Sequence, residues 1–512
     1  MVIFTRNAVA ARRDSVGAPI PGAENSADRS VEPNPKPEAA PLPLCVDLDG
    51  TLVRSDTLVE SLASGMRNWR IWLALLGVFT KGRAAMKREV AEIEPVNAAT
   101  LPYNEELLEY LRAEKERGRE LILVTASDGA TADAINAHLQ LFDEVLASDG
   151  VSNLKGERKA AVLAERFGEQ GFVYAGNDRS DLAVWRRAKS AIVVNASRSV
   201  AAKAAKTADV ERHMEGARSK LRAMLRAARP YQWVKNFLIL VPIATAHALN
   251  DASAWISAGW TFAAFCSTAS GIYIFNDLSD LKADRLHARK RRRPFASGVL
   301  SLPLGLLMTI VLLTAGATFA YLSGAMWVVA LYAVTSISYS LWLKEFPLVD
   351  IFVLAGLYTL RLFAGGEATG HPVSFWLLGF SSFFFLSLAL VKRVSEMMAA
   401  TGPTAARRGY MASDVPILQL MGIASGFTAI VILSLFVQDE ATSVLYSSPA
   451  LLWCIVPLIL FWLCRIWLST ARGYMHDDPI VYAAKDWVSL LVSVAVFGTL
   501  AAAKTLTFGS PS

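Results

Sequence analysis

The chain has 512 residues, 53% of them hydrophobic and 19% charged, with a mean hydropathy of +0.35, which excludes an ordinary soluble protein. The apolarity is uneven: residues 1–230 alternate apolar and charged stretches, whereas 231–512 hold most of the long apolar runs, so the net charge of +6 has to be read by position. Cys45, Cys266, Cys454 and Cys464 lack the spacing of a zinc site or a disulfide framework, which leaves them as small buried hydrophobes. Residues 1–41 are rich in Pro, Ala and charge and hold no apolar core of signal-peptide length; a disordered leader without a cleaved signal is expected.

The first folded element expected is the strand Leu42-Pro-Leu-Cys-Val, running into Asp47-Leu-Asp49-Gly50-Thr51. A second strand, Leu121-Ile-Leu-Val-Thr125-Ala126-Ser127, ends in a hydroxyl suited to a phosphate oxygen. Lys159 opens the apolar-periodic segment KAAVLAERF and can stabilise charge on a transferring group, with Lys155 as the alternative. A third apolar stretch, Phe172-Val-Tyr-Ala-Gly176, leads into Asn177-Asp178-Arg-Ser-Asp181. Strands followed by helices over 42–196 predict a Rossmann-like parallel sheet. Residues 55–102 interrupt it as a helical insertion whose apolar run, Ile71 to Phe79 between Arg70 and Lys81, is too short to span a bilayer. That run either packs within a cap or presents a surface that dips into the membrane.

The DxDGT run and the later acidic motif resemble those of the haloacid-dehalogenase (HAD) phosphatases. The resemblance implies that Asp47 attacks the phosphoryl group and binds Mg2+. It implies that Asp49 also stands at the metal, protonates the leaving oxygen and later activates water, while Thr125 and Lys159 bind the phosphoryl group. The first acid of the family's GDxxxD motif is Asn177 here, so a metal carboxylate is lost, with Asp178 or Asp181 left to compensate or the domain left inactive.

Residues 197–229 carry Lys203, Lys206, Arg212, Arg218, Lys220, Arg222, Arg226 and Arg229, and predict a basic amphipathic helical linker on an anionic leaflet. Nine apolar spans follow within 230–507, at 234–250, 255–275, 302–322, 325–343, 348–364, 373–391, 415–437, 448–468 and 486–507. The loops 276–301, 344–347, 392–414 and 469–485 hold many Lys and Arg; the loops 251–254, 323–324, 365–372 and 438–447 hold none. The positive-inside rule then puts the phosphatase-like domain and both sites on the cytoplasmic side of the inner (plasma) membrane and the C-terminus outside.

The second span ends in Asn276-Asp277-Leu-Ser-Asp280-Leu-Lys-Ala-Asp284, with Arg285, Lys290 and Arg293 close behind. If the helix continues, Asn276 and the three aspartates share one face, an arrangement suited to a divalent ion carrying a diphosphate. Asp350 and Arg361 lie eleven residues apart within the fifth span, about 20° from eclipsed. Charges at that depth point either to a polar substrate chamber or to an ion pair with another helix.

The nine spans, NDxxDxxxD and the preceding RPYQWVKN, with Lys235 and Asn236, resemble the UbiA superfamily of polyprenyl transferases across 226–507. Members that prenylate aromatic rings carry a second aspartate-rich motif, where this chain has Val391-Lys392-Arg393-Val394-Ser395-Glu396. That departure, with YSLWLKEFPLVD over 339–350 and RGYMHDDP over 472–479, is similar to the decaprenyl-phosphate phosphoribosyltransferase branch. The resemblance implies transfer of 5-phosphoribose from phosphoribosyl pyrophosphate to a polyprenyl phosphate in the bilayer, with Mg2+ on Asp277, Asp280 and Asp284 and no nucleic acid partner. Asn276, Lys235, Asn236, Arg285, Lys290, Arg293, Tyr339, Lys344, Asp350, Arg361, Lys392 and Arg393 are the candidate substrate contacts, with Asp477 and Asp478 beside them. The HAD domain would then remove the 5-phosphate of the product. The alternative keeps the fold and moves a prenyl group from a prenyl diphosphate to an aromatic or tetrapyrrole acceptor.

Overall fold

The computed structural model describes residues 41–506 except 66–67, 77, 149–153, 217–218, 400–408, 440–445 and 476–477. The expected leader, the segment with Arg407 and Arg408, and Asp477 therefore lie outside the described residues. The strand β1 (Leu44–Asp47) is buried along its whole length, as a central parallel strand must be. Its side chains alternate between two cores: Leu44 and Val46 join Leu121 and Leu123 on one face, and Cys45 joins Ile122 and Val124 on the other.

The insertion after β1 is helical, as expected: α1 (Thr57–Ser64), α2 (Trp69–Leu76) and α3 (Val78–Ile93). In its apolar run Ile71 and Ala74 are buried whereas Trp69 and Leu73 are exposed, so the cap packs one face inward and presents the other. Then come α4 (Glu105–Glu116), β2 (Leu121–Asp128), α5 (Gly129–Leu139), β3 (Glu144–Ser148), α6 (Glu157–Phe167), β4 (Val173–Gly176), the single turn α7 (Leu182–Trp185) and β5 (Ser190–Val194). The sheet does not stop at residue 196. Helix α8 (Arg198–Thr207) and strand β6 (Asp209–Met214) lie inside the stretch expected as a linker, and β6 pairs in parallel with β5. Its charge pattern misled because β6 is an edge strand that exposes Glu211, Arg212 and His213. A second helix of that stretch is α9 (Lys220–Ala228), with Ala223 and Ala227 buried and Leu221 and Leu225 exposed. The strand order β3-β2-β1-β4-β5-β6 reverses between β1 and β4, and the carboxyl ends of those two strands form the crevice where ligands bind in such sheets.

The elements described in the rear half are helices. Among the described residues six are long and apolar enough to cross a membrane: Leu302–Leu322, Val349–Thr369, Phe375–Ala399, Ala412–Gln438, Pro449–Ala471 and Trp487–Thr505. The other three expected spans differ. The run 234–250 falls on a 3-10 helix, Pro230–Leu240, followed by α10 (Val241–Thr245). Gly365 allows this backbone close, since a Cβ there would lie 2.1 Å from the Ile239 carbonyl oxygen. The run 255–275 lies inside α11 (Ala252–Ser279), a helix rich in Ala, Ser, Thr and Gly and buried along much of its length. The run 325–343 is a helix of only 16 residues, Met326–Leu341.

The two halves meet through the cap. Val59 and Ala63 of α1 pack against a cluster that includes Leu278, Leu281 and Phe295. Gly298, at φ 71°, admits the loop that follows β1; a Cβ there would lie 2.7 Å from the Arg54 Cβ.

Candidate active sites

The first candidate site lies at the switch point. Lys159, 3% exposed, donates to Asp47 Oδ1 at 2.7 Å, to the Tyr174 hydroxyl at 3.0 Å and to the Val124 carbonyl at 3.3 Å, which uses all three ammonium protons. Burial pushes the Asp47 carboxyl up to about 7 even though Lys159 pulls it down. Burial also works against the charge on Lys159, but Asp47 and Asp181 outweigh it and hold the ammonium above its usual range. Asp49 is raised by burial and by Asp56, against hydrogen bonds from Ser127 and Thr57.

Asp49 is held at both oxygens, by the Thr57 N–H at 2.8 Å and the Ser127 hydroxyl at 2.6 Å, and Thr57 and Ser127 share a further hydrogen bond of 2.7 Å. Ser127 therefore stands beside the acid pair. Thr125, fully buried, accepts from the Ser127 N–H at 2.9 Å and sets that turn. From the cap, Lys87 reaches over the end of β2 to the Ala126 carbonyl at 2.9 Å; one charge in a basic helix, it carried no signal in the sequence.

The three residues of the third motif separate. Asp181 is buried, accepting from the N–H groups of Asn177 and Asp178 at 2.9 Å each and from the Tyr174 hydroxyl at 3.1 Å. Asp178 is exposed and caps the following turn through the Arg179 N–H. Asp181 is near enough to Asp47 for its charge to help raise that carboxyl, and Tyr174 links it to Lys159, whereas Asp178 stays at the exposed turn. Asn177 does stay close: a Cβ on Gly50, at φ 79°, would lie 2.0 Å from its amide nitrogen. Asp47 Oδ2, with only the Thr51 hydroxyl at 3.5 Å, and the Asn177 amide are oxygen donors that fit a hard cation with one carboxylate fewer.

The second candidate site is at the end of α11. The helix does not run on: Asp280 is its C-cap, and α12 (Leu281–Leu286) starts afresh. The four polar residues consequently part company. Asp277 and Asp284 are buried, and one nitrogen of Arg293 bridges them, 3.0 Å from Asp277 Oδ1 and 2.6 Å from Asp284 Oδ2. Arg229 donates to the same Asp277 oxygen. Asp280 is half exposed and turns to Lys344 at 3.3 Å, and Asn276 is half-buried. A positive group already spans the Asp277–Asp284 pair, so these two carboxylates would fit a cation. Among the described residues no three acids, histidines or cysteines converge as a ready metal cluster.

Arg285 is turned to the cap. Its fork grips Glu60 of the cap at 2.8 and 2.7 Å, and its Nε donates to the Ala296 carbonyl at 3.1 Å. Lys290 sits on an exposed 3-10 turn, Lys290–Arg292.

Further in, Asp478 accepts from Lys235 at 2.7 Å and from the Tyr358 hydroxyl at 3.0 and 2.8 Å, with Lys392 at 3.6 Å. Arg361 donates to Asn236 at 2.9 Å, to the Leu357 carbonyl and to Tyr332, and lies over the rings of Phe265, Tyr332 and Tyr358. Asp350, expected on one face with Arg361, pairs instead with Arg393 and the Tyr410 hydroxyl, completely buried. Arg393 also binds Glu396 at 2.6 Å, so this pair ties neighbouring segments together. Tyr339 lies near Arg393, half-buried. Arg229 and Tyr358 are members that the sequence did not mark as contacts; only the place of Arg229 at the head of the RPYQWVKN run pointed to it.

A parallel sheet with a nucleophile-like aspartate at its switch point, joined to a bundle of apolar helices with a carboxylate pair at one end, defines an integral membrane enzyme with an attached phosphohydrolase-type domain. Residues 237–490 match the UbiA prenyltransferase family, and residues 44–186 match the haloacid dehalogenase-like hydrolases. The chain is 38% identical over 464 residues to the uncharacterized protein y4nM of Sinorhizobium fredii, covering 89% of this chain and 90% of that one. It is 37% identical over 277 residues to nodulation protein NoeC of Azorhizobium caulinodans, covering 52% and 88%. It is 30% identical over 290 residues to decaprenyl-phosphate phosphoribosyltransferase of Mycobacterium tuberculosis, covering 55% and 93%. Among solved structures, a UbiA homolog from Archaeoglobus fulgidus bound to GPP and Mg2+ aligns at 17% identity and a TM-score of 0.44, over 55% of this chain and 99% of that one. The chain belongs to the UbiA prenyltransferase family through its helical half and carries a HAD domain in front of it.

Proposed function

We propose that the helical domain transfers 5-phosphoribose from phosphoribosyl pyrophosphate to a polyprenyl phosphate, and that the HAD domain then removes the 5-phosphate. The observation that carries this reading is the cationic character of the cluster around Asp478. Where an aromatic-prenylating member needs a second set of carboxylates for a diphosphate-bound metal, Lys392 and Lys235 stand against Asp478. Two ammonium groups suit a phosphorylated acceptor or the ribose phosphate. Kinship with a chain named decaprenyl-phosphate phosphoribosyltransferase supports the same donor and acceptor.

In the transfer, an acceptor phosphate oxygen bonds to the anomeric carbon as its bond to the pyrophosphate oxygen breaks, and pyrophosphate leaves. The acceptor is already an anion, so no strong base is required. Mg2+, held by Asp277 and Asp284, would neutralise the departing diphosphate. Arg229 and Arg293, which pair with those carboxylates, would bind the diphosphate oxygens beside them. In the HAD domain Asp47 attacks the 5-phosphate while Lys159 offsets the charge that develops, Asp49 protonates the departing ribose oxygen, and water then releases inorganic phosphate from Asp47. Mg2+ at Asp47 and Asn177 would reduce repulsion between the two anions.

The proposal includes nine membrane crossings, with α11, the Met326–Leu341 helix and the 230–245 segment joining the six longer helices, both sites cytoplasmic and the C-terminus outside. The one-sided distribution of Lys and Arg among the loops supports it. The exposed Trp69–Leu73 face of the cap and the exposed leucines of α9 suit the adjacent interface. Fusion would also hand the product to the phosphatase at high effective concentration.

The test supplies purified protein with labelled phosphoribosyl pyrophosphate, Mg2+ and polyprenyl phosphate. Labelled phosphoribosyl lipid and its dephosphorylated form are expected; Asp277→Ala abolishes both, and Asp47→Asn accumulates the phosphorylated form. Absence of lipid product, or transfer of a prenyl group from labelled prenyl diphosphate to an aromatic acceptor in its place, overturns the reading.

A further inference from the structure

The contact between Glu60 and Arg285 joins the two halves at an unusual point. Glu60 lies on α1, the helix whose first residue, Thr57, donates its N–H to Asp49. Arg285 directly follows Asp284 and is in the last turn of α12. The two side chains are 4% and 6% exposed and meet through both nitrogens and both oxygens. The Nε of the same guanidinium holds the Ala296 carbonyl, three residues beyond Arg293. Arg285 thereby clamps together the two short segments that supply Asp284 and its partner Arg293. What aims Arg285 is a carboxylate from the other domain.

We infer that Glu60 of the phosphatase cap is a positioning residue for the membrane carboxylate pair, acting through Arg285 to hold Asp284 beside Asp277 for a divalent cation. A buried guanidinium that loses its carboxylate is strongly destabilised where it stands. Without Glu60 the fork rotates toward other acceptors, the hold on Ala296 loosens, and Asp284 loses its register with Asp277. Loss of an outer partner that orients metal-binding carboxylates costs about 10- to 100-fold in metal affinity. The transferase site is on this view incomplete without the phosphatase domain. The inference rests on reading Asp277 and Asp284 as the cation-holding pair.

The experiment measures binding of Mn2+ alone, from the loss of its free-ion electron paramagnetic resonance signal, to full-length protein in detergent. An Asp47→Asn background removes the carboxylate ligand of the phosphatase site. Glu60→Gln is expected to weaken binding about tenfold, Arg285→Gln by a similar factor, and the double variant by no more than either, because both cut one link. Lys282→Ala, which breaks the exposed Lys282–Glu94 contact of the same interface, is expected to bind as the background does. Unchanged affinity in Glu60→Gln, multiplied losses in the double variant, or an equal loss in Lys282→Ala each overturn the inference. Should Glu60→Gln not fold, Glu60→Asp keeps the charge one methylene short, and undiminished affinity there overturns it equally. Native-like binding in Asp277→Asn would instead sink the reading of the acid pair, which separates the two failures.

Discussion

Replacing Lys159 with Met tests whether Asp47 owes its ionisation to one ammonium. At 2.7 Å and an effective dielectric constant of about 20, the attraction between the two charges is about 6 kcal/mol, partly offset by the desolvation of both. Removing one partner of such a pair costs about 3–5 kcal/mol, and here the stranded carboxylate avoids much of that by taking up a proton. Burial has already brought Asp47 to about 7, so roughly half of it is ionised at pH 7. A loss of about 3 kcal/mol lowers the ionised fraction about a hundredfold, at about 1.4 kcal/mol per factor of ten. Phosphate release from a phosphomonoester by Lys159→Met should therefore fall at least about a hundredfold at pH 7. It should then climb about tenfold per pH unit above neutrality, because only the carboxylate attacks. The assay is phosphate release between pH 6 and 9 from the purified full chain, with phosphoribosyl transfer followed in parallel as a check on folding. A deficit that stays constant across that range would refute the electrostatic argument, since it would place the role of Lys159 wholly in contact with the substrate.

The same raised carboxyl makes cation binding release a proton. Below pH 7 Asp47 is mostly protonated and must give up its proton to a metal; above pH 7 it has none to give. Calorimetry of Mg2+ binding in buffers of different ionisation heat should thus show close to one proton released at pH 6 and almost none at pH 8, a difference that vanishes in Asp47→Asn. Gly50→Ala forces a left-handed backbone and places a methyl group 2.0 Å from the Asn177 amide, so phosphatase activity should drop more than tenfold while phosphoribosyl transfer persists. Asp350→Ala strands Arg393 in the bundle and should lower stability by about 3–5 kcal/mol, read as an earlier thermal transition in detergent.

The parts of both sites that were legible in the sequence are those whose chemistry is local. Asp47 and Asp49 follow a buried strand directly, and the fall of the chain into a parallel sheet carries them to the switch point beside Asn177. Lys159 was legible because it opens an amphipathic helix, α6, that can only pack on that sheet. Legibility ended where partners are distant. Arg285 reads as a phosphate ligand among its basic neighbours, but its partner, Glu60, lies 225 residues earlier in the chain. Asp350 and Arg361 share a helical face by spacing, yet each is claimed by a different element: Asp350 by Arg393 and Tyr410, Arg361 by Asn236 and Tyr332. Periodicity also carried the acid-bearing helix straight through Asp280, where the chain turns and Lys344 draws that side chain away. The run 234–250 is apolar enough for a span but is wound partly as a 3-10 helix against Gly365, a packing fact that composition does not encode.

Exposure separates the buried charges of the helical half by what they can do. The Asp350–Arg393 pair is closed: its side chains are 0% and 5% exposed, and Tyr410 and Glu396 take up further hydrogen-bonding capacity. Opening it would leave two desolvated ions, so it serves cohesion. Around Asp277 the carboxylate is equally buried, at 3% exposed, but its partners Arg229 and Arg293 are 18% and 30% exposed. Those guanidinium groups can exchange a carboxylate for an incoming phosphate without first losing all their solvation, and a divalent ion that takes their place keeps the carboxylates neutralised. The exchange is possible only if the carboxylates stay put while their partners move. That requirement is why the fixed point is Arg285, held by Glu60 from the neighbouring domain, next to an acid pair whose own cations are loose.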